Sequence, residues 1–266
     1  IRIVGSPNAA GDGYRIAMDN GACSFMADSA QSILYAIEAF PPIDFHDAAE
    51  NPLYGYFGIA SGGPVLWVNE ACRRYTREDL ANDNLALQCL PGKGNKGNYV
   101  VFDQAIFDRF FGKNDDAKKA FYDAIKANGG GSIYQSDSLA DLAGRFNLDA
   151  DALKAAVDRY NELCGEGADS DFGKAAGLMA PIETPPFYLA KLSYNYFFSV
   201  GGITTDGRHR VLDGRRNPIE GLYAIGNDGN MLYRNVYTIN MPGVAFGHQV
   251  NSGREAANAV LEYLDR

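Results

Sequence analysis

Gly92-Lys93-Gly94-Asn95-Lys96-Gly97 has the GxGxxG spacing of a dinucleotide fingerprint, in surroundings where that fingerprint cannot work. The motif needs a strand before it and a helix after it, because the helix N-terminus is what holds a pyrophosphate. Here Pro91 precedes the glycines, and the strand-like run Asn98-Tyr99-Val100-Val101-Phe102 follows them. The stretch therefore reads as a mobile surface loop. The chain offers no other GxGxxG.

At 266 residues the chain suffices for one large domain or two modest ones, each with its own core. No apolar run is long enough to cross a bilayer. A net charge of −9 argues against a nucleic-acid partner, which would need clustered Lys and Arg. Cys23, Cys72, Cys89 and Cys164 form no CxxC pair, which excludes an iron–sulfur, haem-attachment or zinc framework and favours free thiols. His46, His209 and His248 have no metal-ligand spacing, so no metal site is expected. The sequence opens at Ile1 with no Met and no signal peptide, as a fragment would. Localisation, cytoplasmic or exported, stays open.

Along the chain, Ile1–Val4 reads as a short strand and Tyr14–Asn20 as a helix closed by Gly21. Val65–Asn69 and Tyr99–Asp103 are strand candidates. The middle is helical: Asp115–Asn128, a capping-box start at Ser138 with Asp141, and a helix after Asp149 whose Leu153, Val157, Tyr160 and Cys164 share one stripe. Pro185-Pro186-Phe187-Tyr188 breaks that run, and Phe197–Thr204, Val211–Leu212 and Leu222–Ile225 read as strands. A last helix carries Phe246, Val250, Gly253, Ala257, Val260 or Leu261, and Leu264 at helical spacing, with Gly253, Ala256 and Ala257 small enough to pack closely on a sheet. The order suggests one domain interrupted by another.

Four stretches carry a resemblance. Gly11-Asp12-Gly13 with Ala17 and Gly21-Ala22 is similar to TGDGxxxA…GA; Val68-Asn69 through Arg74-Tyr75 to Glu78 is similar to VNxxGxRFxNE. Tyr160-Asn161, Asp169-Ser170-Asp171-Phe172-Gly173 and Pro185-Pro186-Phe187-Tyr188 follow YN…DxDFG…PPFY. Gly201-Gly202-Ile203, Gly221-Leu222-Tyr223-Ala224-Ile225-Gly226 and Pro242-Gly243-Val244-Ala245-Phe246-Gly247 follow GGI…GLYAxGE…GGxAxxFG. In order and spacing the chain resembles the fumarate reductase/succinate dehydrogenase-type flavoproteins, with urocanate reductases and 3-ketosteroid dehydrogenases among them.

The resemblance implies an α+β fold, with a capping domain inserted into an incomplete FAD-binding α/β domain. On this reading residues 1–39 are a returning FAD-domain segment, 40–197 the substrate cap and 198–266 the closing FAD-domain segment. It implies FAD as cofactor, contacted by Asp12, Phe198, Gly226, Asn227, Gly243, Val244, Ala245 and Phe246. Backbone amides at the start of the last helix suit a flavin edge where negative charge develops, and Gly243 permits a close approach. An isolated fragment is expected not to retain FAD and to be inactive, with its upstream half, a small-molecule substrate and an external electron donor or acceptor as partners.

The chain departs from the family at telling places. Asn227 replaces a flavin-contacting Glu, and Asn82, Phe197 and Asn240 stand where fumarate reductases have a catalytic arginine, a histidine and a carboxylate-binding arginine. A dicarboxylate clamp needs those guanidinium groups. Around the same positions lie Tyr194, Tyr196, Phe197, Phe198, Tyr233 and Tyr237, so an apolar or aromatic substrate is expected. Tyr196, Tyr237 and Arg234 are the candidates for proton transfer, and Arg77 with Glu78 is expected to form a structural pair. The reading is an FAD-dependent oxidoreductase acting on an activated C=C or CH–CH bond; the alternative is a catalytically silent fragment or flavin-free binding paralogue.

Overall fold

The computed structural model describes residues 2–3, 10–25, 31–40, 59–60, 62–83, 87–199, 201–233, 237 and 241–265, with backbone only at 2–3, 31–34 and 196–199. Its elements in chain order are β1 Arg2–Ile3, α1 Asp12–Asp19, β2 Ser24–Phe25, β3 Gln31–Ile37, β4 Leu66–Asn69, β5 Asn98–Asp103, α2 Gln104–Phe111 and α3 Asp115–Asn128. They continue with β6 Ile133–Ser136, α4 Leu139–Phe146, α5 Ala150–Glu166, β7 Phe187–Ser199, β8 Gly202–Ile203, β9 Arg210–Leu212, β10 Pro218–Tyr223 and α6 Val244–Leu264. The chain divides into two compact units, one of residues 1–4 and 34–195 and one of residues 5–33 and 196–266. No described helix is long and apolar enough to cross a membrane.

The first unit is built on a sheet in which β7 and β4 flank β5, both antiparallel to it. β6 also pairs antiparallel with β7, from Ile133 opposite Ala190 to Ser136 opposite Phe187. Every residue of β5 is buried. Its last residue, Asp103, starts α2: one carboxylate oxygen accepts from the Ile106 N–H, and the other from the Glu183 and Thr184 N–H groups. Three backbone donors make this buried carboxylate tolerable. Against the sheet pack Phe102, Phe107, Phe121 and Tyr188, with Phe107 and Tyr188 stacked 5.4 Å apart.

The helical middle follows its caps. Asn114, Ser138 and Asp149 each accept a hydrogen bond from the N–H three residues on, starting α3, α4 and α5. α5 buries Leu153, Val157, Tyr160 and Leu163; Leu163, not Cys164, takes the fourth core position, and Cys164 is only partly covered. All four cysteines are free. Residues 92–97 form a turn, but not a loose one. The Gly92 carbonyl accepts from the Tyr194 hydroxyl at 2.7 Å and the Asn98 amide at 3.2 Å, and Glu70 accepts from the Lys96 and Gly97 N–H groups. The expected mobile loop is thus pinned at both ends, and β5 rather than a helix follows it.

One ionic knot ties the first unit together. Arg74 binds Asp169 through two parallel hydrogen bonds of 2.9 and 2.8 Å, and Glu78 through two more of 2.8 and 2.9 Å. Lys174, fully buried, lies 3.1 Å from Glu78 and donates to the Val65 carbonyl and the Tyr160 hydroxyl. Glu78 therefore pairs with Arg74 and Lys174. The expected Arg77–Glu78 pair does not form, because Arg77 turns instead to Asp79 and Asp83.

The second unit has a small core of Ala17, Ala22, Ile203, Val211 and Ala224. α1 closes on Gly21 at φ 87, where the Gly21 and Ala22 N–H groups reach back to Met18 and Ala17. In α6 the buried residues are Ser252, Ala256 and Ala259. Much of its apolar stripe lies open: Phe246, Val250, Leu261 and Leu264 are 57–71% exposed, while Val260 is partly covered.

Two expectations follow. Leu153→Ala should cost about 2–5 kcal/mol in urea unfolding, whereas Val250→Ala in this chain should stay within about 0.5 kcal/mol. Acid should loosen the knot in a defined window. Burial works to raise the Asp169 carboxyl, but the Arg74 guanidinium and the Lys174 and Phe172 N–H groups overcome it and hold it at about 2. The unfolded chain then binds the extra proton, so the stabilisation is complete above the ordinary carboxylate range and is lost as pH falls from about 4 towards 2. About 2 kcal/mol should disappear across that window in acid unfolding titrations, and Asp169→Asn should remove the step.

Candidate functional site

The second unit brings its motif segments together around one loop, residues 224–233. A Cβ on Gly13 would strike the Asp228 carboxylate, and one on Gly202 would strike the Asp228 carbonyl. The Ile203 N–H donates to that same carbonyl at 2.6 Å, and the Gly226 N–H to the Ser252 hydroxyl of α6 at 3.0 Å. A Cβ on Gly229 would enter the backbone of Ala224 and Ile225. At Gly202 and Gly229 backbone passes where a side chain would sit, while at Gly13 the obstacle is the Asp228 side chain.

Of the expected cofactor contacts, Gly226 and Asn227 lie on this loop, and Val244, Ala245 and Phe246 open α6, the helix bonded to it. Asp12 does not cap α1: Gly11, at φ 79, holds the N-cap position, and Asp12 is the first helical residue, exposed and ion-paired with Arg15. Asn227 is exposed, and its carbonyl oxygen accepts from Gln249 at 3.2 Å, leaving the Nδ2 donors without a partner among the described residues. α6 starts at Gly243, φ 86, with no side-chain cap. No atom of the described residues lies within 4 Å of the position a Cβ would take there. Among the described residues the Ala245 and Phe246 N–H groups have no acceptor, and the Val244 N–H reaches Met241 only at 3.4 Å.

Open donors at the start of a 21-residue helix, fronted by a residue without a side chain, fit a planar group that carries negative charge on one edge. Val244, Ala245 and Phe246 would supply amides, Gly243 the clearance, and Asn227 and Gly226 a neighbouring edge. FAD fits this donor set.

Of the proton-transfer candidates, Arg234 lies outside the described residues, as does Asn240, and the side chains of Tyr196, Phe197 and Phe198 are likewise not described. Tyr237 packs edge-on against Tyr233, ring centroids 4.8 Å apart at 80°. Tyr233 was read only as lining. It is 4% exposed, and its hydroxyl has no hydrogen-bond partner among the described residues. Burial, then the neighbouring Tyr237, raises its pKa, so the phenol stays protonated. No sequence signal separates Tyr233 from the other aromatics, since an unpaired hydroxyl is a property of its surroundings. Tyr194 is committed elsewhere, to Gly92 and Asn98 in the first unit. Asn82 is exposed on a helical turn, Leu80–Asp83. His209 and His248 stand 6.2 Å apart, and no described cluster of three or more His, Cys, Asp or Glu could hold a metal.

Comparison with known proteins assigns the lineage: the FAD binding domain family matches residues 2–239. The chain belongs to that family. Among curated members, it is 27% identical to the vinyl phenol reductase of Lactiplantibacillus plantarum over 98% of this chain and 55% of that protein. It is 34% identical to the urocanate reductase of Eggerthella lenta over 77% of this chain and 33% of the relative. In fold it matches the 3-ketosteroid delta1-dehydrogenase of Sterolibacterium denitrificans with a TM-score of 0.68 and 22% identity, covering 97% of this chain and 48% of that one. The chain spans about half, or less, of the length of these FAD-family relatives.

The glycine geometry gives a graded test. Gly229→Ala should destabilise the chain by about 1–3 kcal/mol, because fixed backbone blocks the methyl. Gly243→Ala, with open space around it but a left-handed backbone, should cost only about 1–2 kcal/mol. Thermal melts of both variants in the cofactor-free chain would show whether the order holds.

Proposed function

We propose that the protein is an FAD-dependent oxidoreductase acting on an activated C=C or CH–CH bond of a hydrophobic or aromatic substrate. In it, residues 40–197 form the substrate cap, and residues 1–39 and 198–266 contribute to the FAD-binding domain. The observation that carries the chemistry is the buried hydroxyl of Tyr233 beside Tyr237, unpaired among the described residues. A phenol kept protonated by burial is suited to deliver a proton to carbon. FAD, when bound, supplies or accepts the hydride at the adjoining carbon. The chain's own groups do the rest: the Val244–Phe246 amides and Asn227 orient the cofactor, Asp12 and Phe198 contact it, and Tyr196, Tyr233, Tyr237 and Arg234 are the proton-handling set.

Two features support an aromatic substrate over a dicarboxylate. Asn82, Phe197 and Asn240 replace the charged groups of fumarate reductases, and the vinyl phenol reductase is similar along nearly the whole chain. A missing charged hydrogen-bond partner costs about 1.5–3 kcal/mol, so losing several lowers dicarboxylate turnover by orders of magnitude.

The exposed apolar stripe of α6 supports a further element of this reading. A contiguous apolar face marks an interaction surface. Its occupant is the upstream dinucleotide-binding half that the family resemblance implies; the chain spans only 55% of the vinyl phenol reductase. The 266-residue chain alone is then expected to bind FAD weakly and to be inactive. Stoichiometric flavin absorbance in the purified chain would overturn that.

With the full-length protein and a reduced dye, 4-vinylphenol or an aryl-acrylate should turn over and fumarate should be far slower. Tyr233→Phe or Tyr237→Phe should lower kcat by about 10²–10⁴-fold at the residue that serves as donor. Equal fumarate and vinylphenol rates would end the substrate assignment. Flavin loading with no turnover of any alkene would favour the alternative, a catalytically silent protein.

A further inference from the structure

The first unit contains a groove that none of the chemistry above uses. It lies between α5 and two turns, residues 71–74 and 171–172, and encloses about 720 Å³. That is the size of a site for a small organic ligand. Its floor is apolar: Ala152, Ala155 and Ala156 lie three and four residues apart and turn their methyls to one face of α5, above buried Tyr160. Phe172 forms part of the wall, 39% exposed, its ring held 5.0 Å from the Arg74 guanidinium.

Of the cations at the groove, all but one are paired with carboxylates. Arg74 is neutralised by Glu78 and Asp169. Arg159 is paired with Asp171 at 2.7 Å and with Glu162 at 3.2 Å. Asp149 caps α5 by accepting from the Ala152 N–H. Arg73 lines the groove, and its guanidinium has no ion-pair or hydrogen-bond partner among the described residues. Its backbone is fixed: the Arg73 N–H donates to the Asn69 side chain, and the Arg73 carbonyl accepts from the Asn69 N–H. The preceding residue, Cys72, is held at φ 54 with its thiol 3.6 Å from the Asp149 carbonyl.

We propose that this groove binds an amphiphilic monocarboxylate, with the carboxylate on Arg73 and the apolar body on the alanine floor beside Phe172. The complement of one unpaired guanidinium over an apolar floor is one carboxylate on an apolar body. A dicarboxylate would set its second charge on methyl groups, and an organic cation would meet Arg73 with like charge. The planar guanidinium fork matches a carboxylate in two parallel hydrogen bonds.

Titration of the 266-residue chain tests this, followed by calorimetry and by amide shifts in two-dimensional NMR. Decanoate and 3-phenylpropionate separate an alkyl from an aryl body, and the matching alcohols are the uncharged controls. Saturable binding of at least one acid is expected, with the largest shifts at Ala152, Ala155, Ala156 and Phe172. The alcohols should bind about tenfold more weakly, and Arg73→Gln should lose about the same factor. Ala155→Phe, on an exposed helix face, should block binding with an unchanged melting temperature. Absence of saturable binding, equal affinity for acid and alcohol, shifts centred elsewhere, or an undiminished affinity in Arg73→Gln would each overturn the proposal.

Discussion

Arg74 sits in the first unit with its side chain 8% exposed, bound by two carboxylates and lying within 5.3 Å of the Tyr160 and Phe172 rings. A guanidinium removed from water is tolerated only when its donors are used, and here Asp169 and Glu78 take them in pairs. The consequences spread outward. Glu78 also accepts from the Trp67 N–H of β4 and neutralises Lys174, which holds the Val65 carbonyl and Tyr160. Asp169 in turn accepts from the Asp171, Phe172 and Lys174 N–H groups, shaping the turn that walls the groove. Removing one partner strands a buried charge at a cost of about 3–5 kcal/mol. Two stretches that carry the family likeness, the one ending in Glu78 and the one opening at Asp169, are thus joined by a physical bond across ninety-five positions.

How much of this could be read in advance depends on how local the cause is. α3, α4 and α5 were legible because Asn114, Ser138 and Asp149 announce them with short side chains that reach an N–H three residues away. β7 was read as starting at Phe197 but begins at Phe187, directly after Pro185 and Pro186. Tyr188, Leu189 and Ala190 are all buried, so the alternation that marks a half-exposed strand is missing there. α2 escaped notice because its cap, Asp103, is also the last residue of β5. In α6 the 3.6-residue period identified an apolar stripe correctly, but a period says nothing of what covers it.

The candidate site divides in the same way. The glycine loops and Asn227 were legible through their motif, whereas the unpaired Tyr233 hydroxyl is visible only in three dimensions. Cys72 shows the reverse, a motif position explained by the structure. The family pattern has Gly there, and the backbone turns left-handed at φ 54, a conformation that glycine adopts without strain. This chain accepts a side chain at that turn and buries it, with burial pushing the thiol up from its ordinary pKa. Cys72 is therefore a packing group, not a nucleophile.

The crowding at Gly13, Gly202 and Gly229 bears on how such proteins diverge. Two of them are demanded by fixed backbone within this chain, Gly202 by the Asp228 carbonyl and Gly229 by the Ala224 backbone. Selection for a folded protein alone would retain them. A descendant that had lost its flavin would go on displaying the same glycine signature for as long as it stayed folded. Gly243 differs in kind: no described neighbour within 4 Å forbids a side chain, and only its left-handed backbone, at φ 86, favours glycine there.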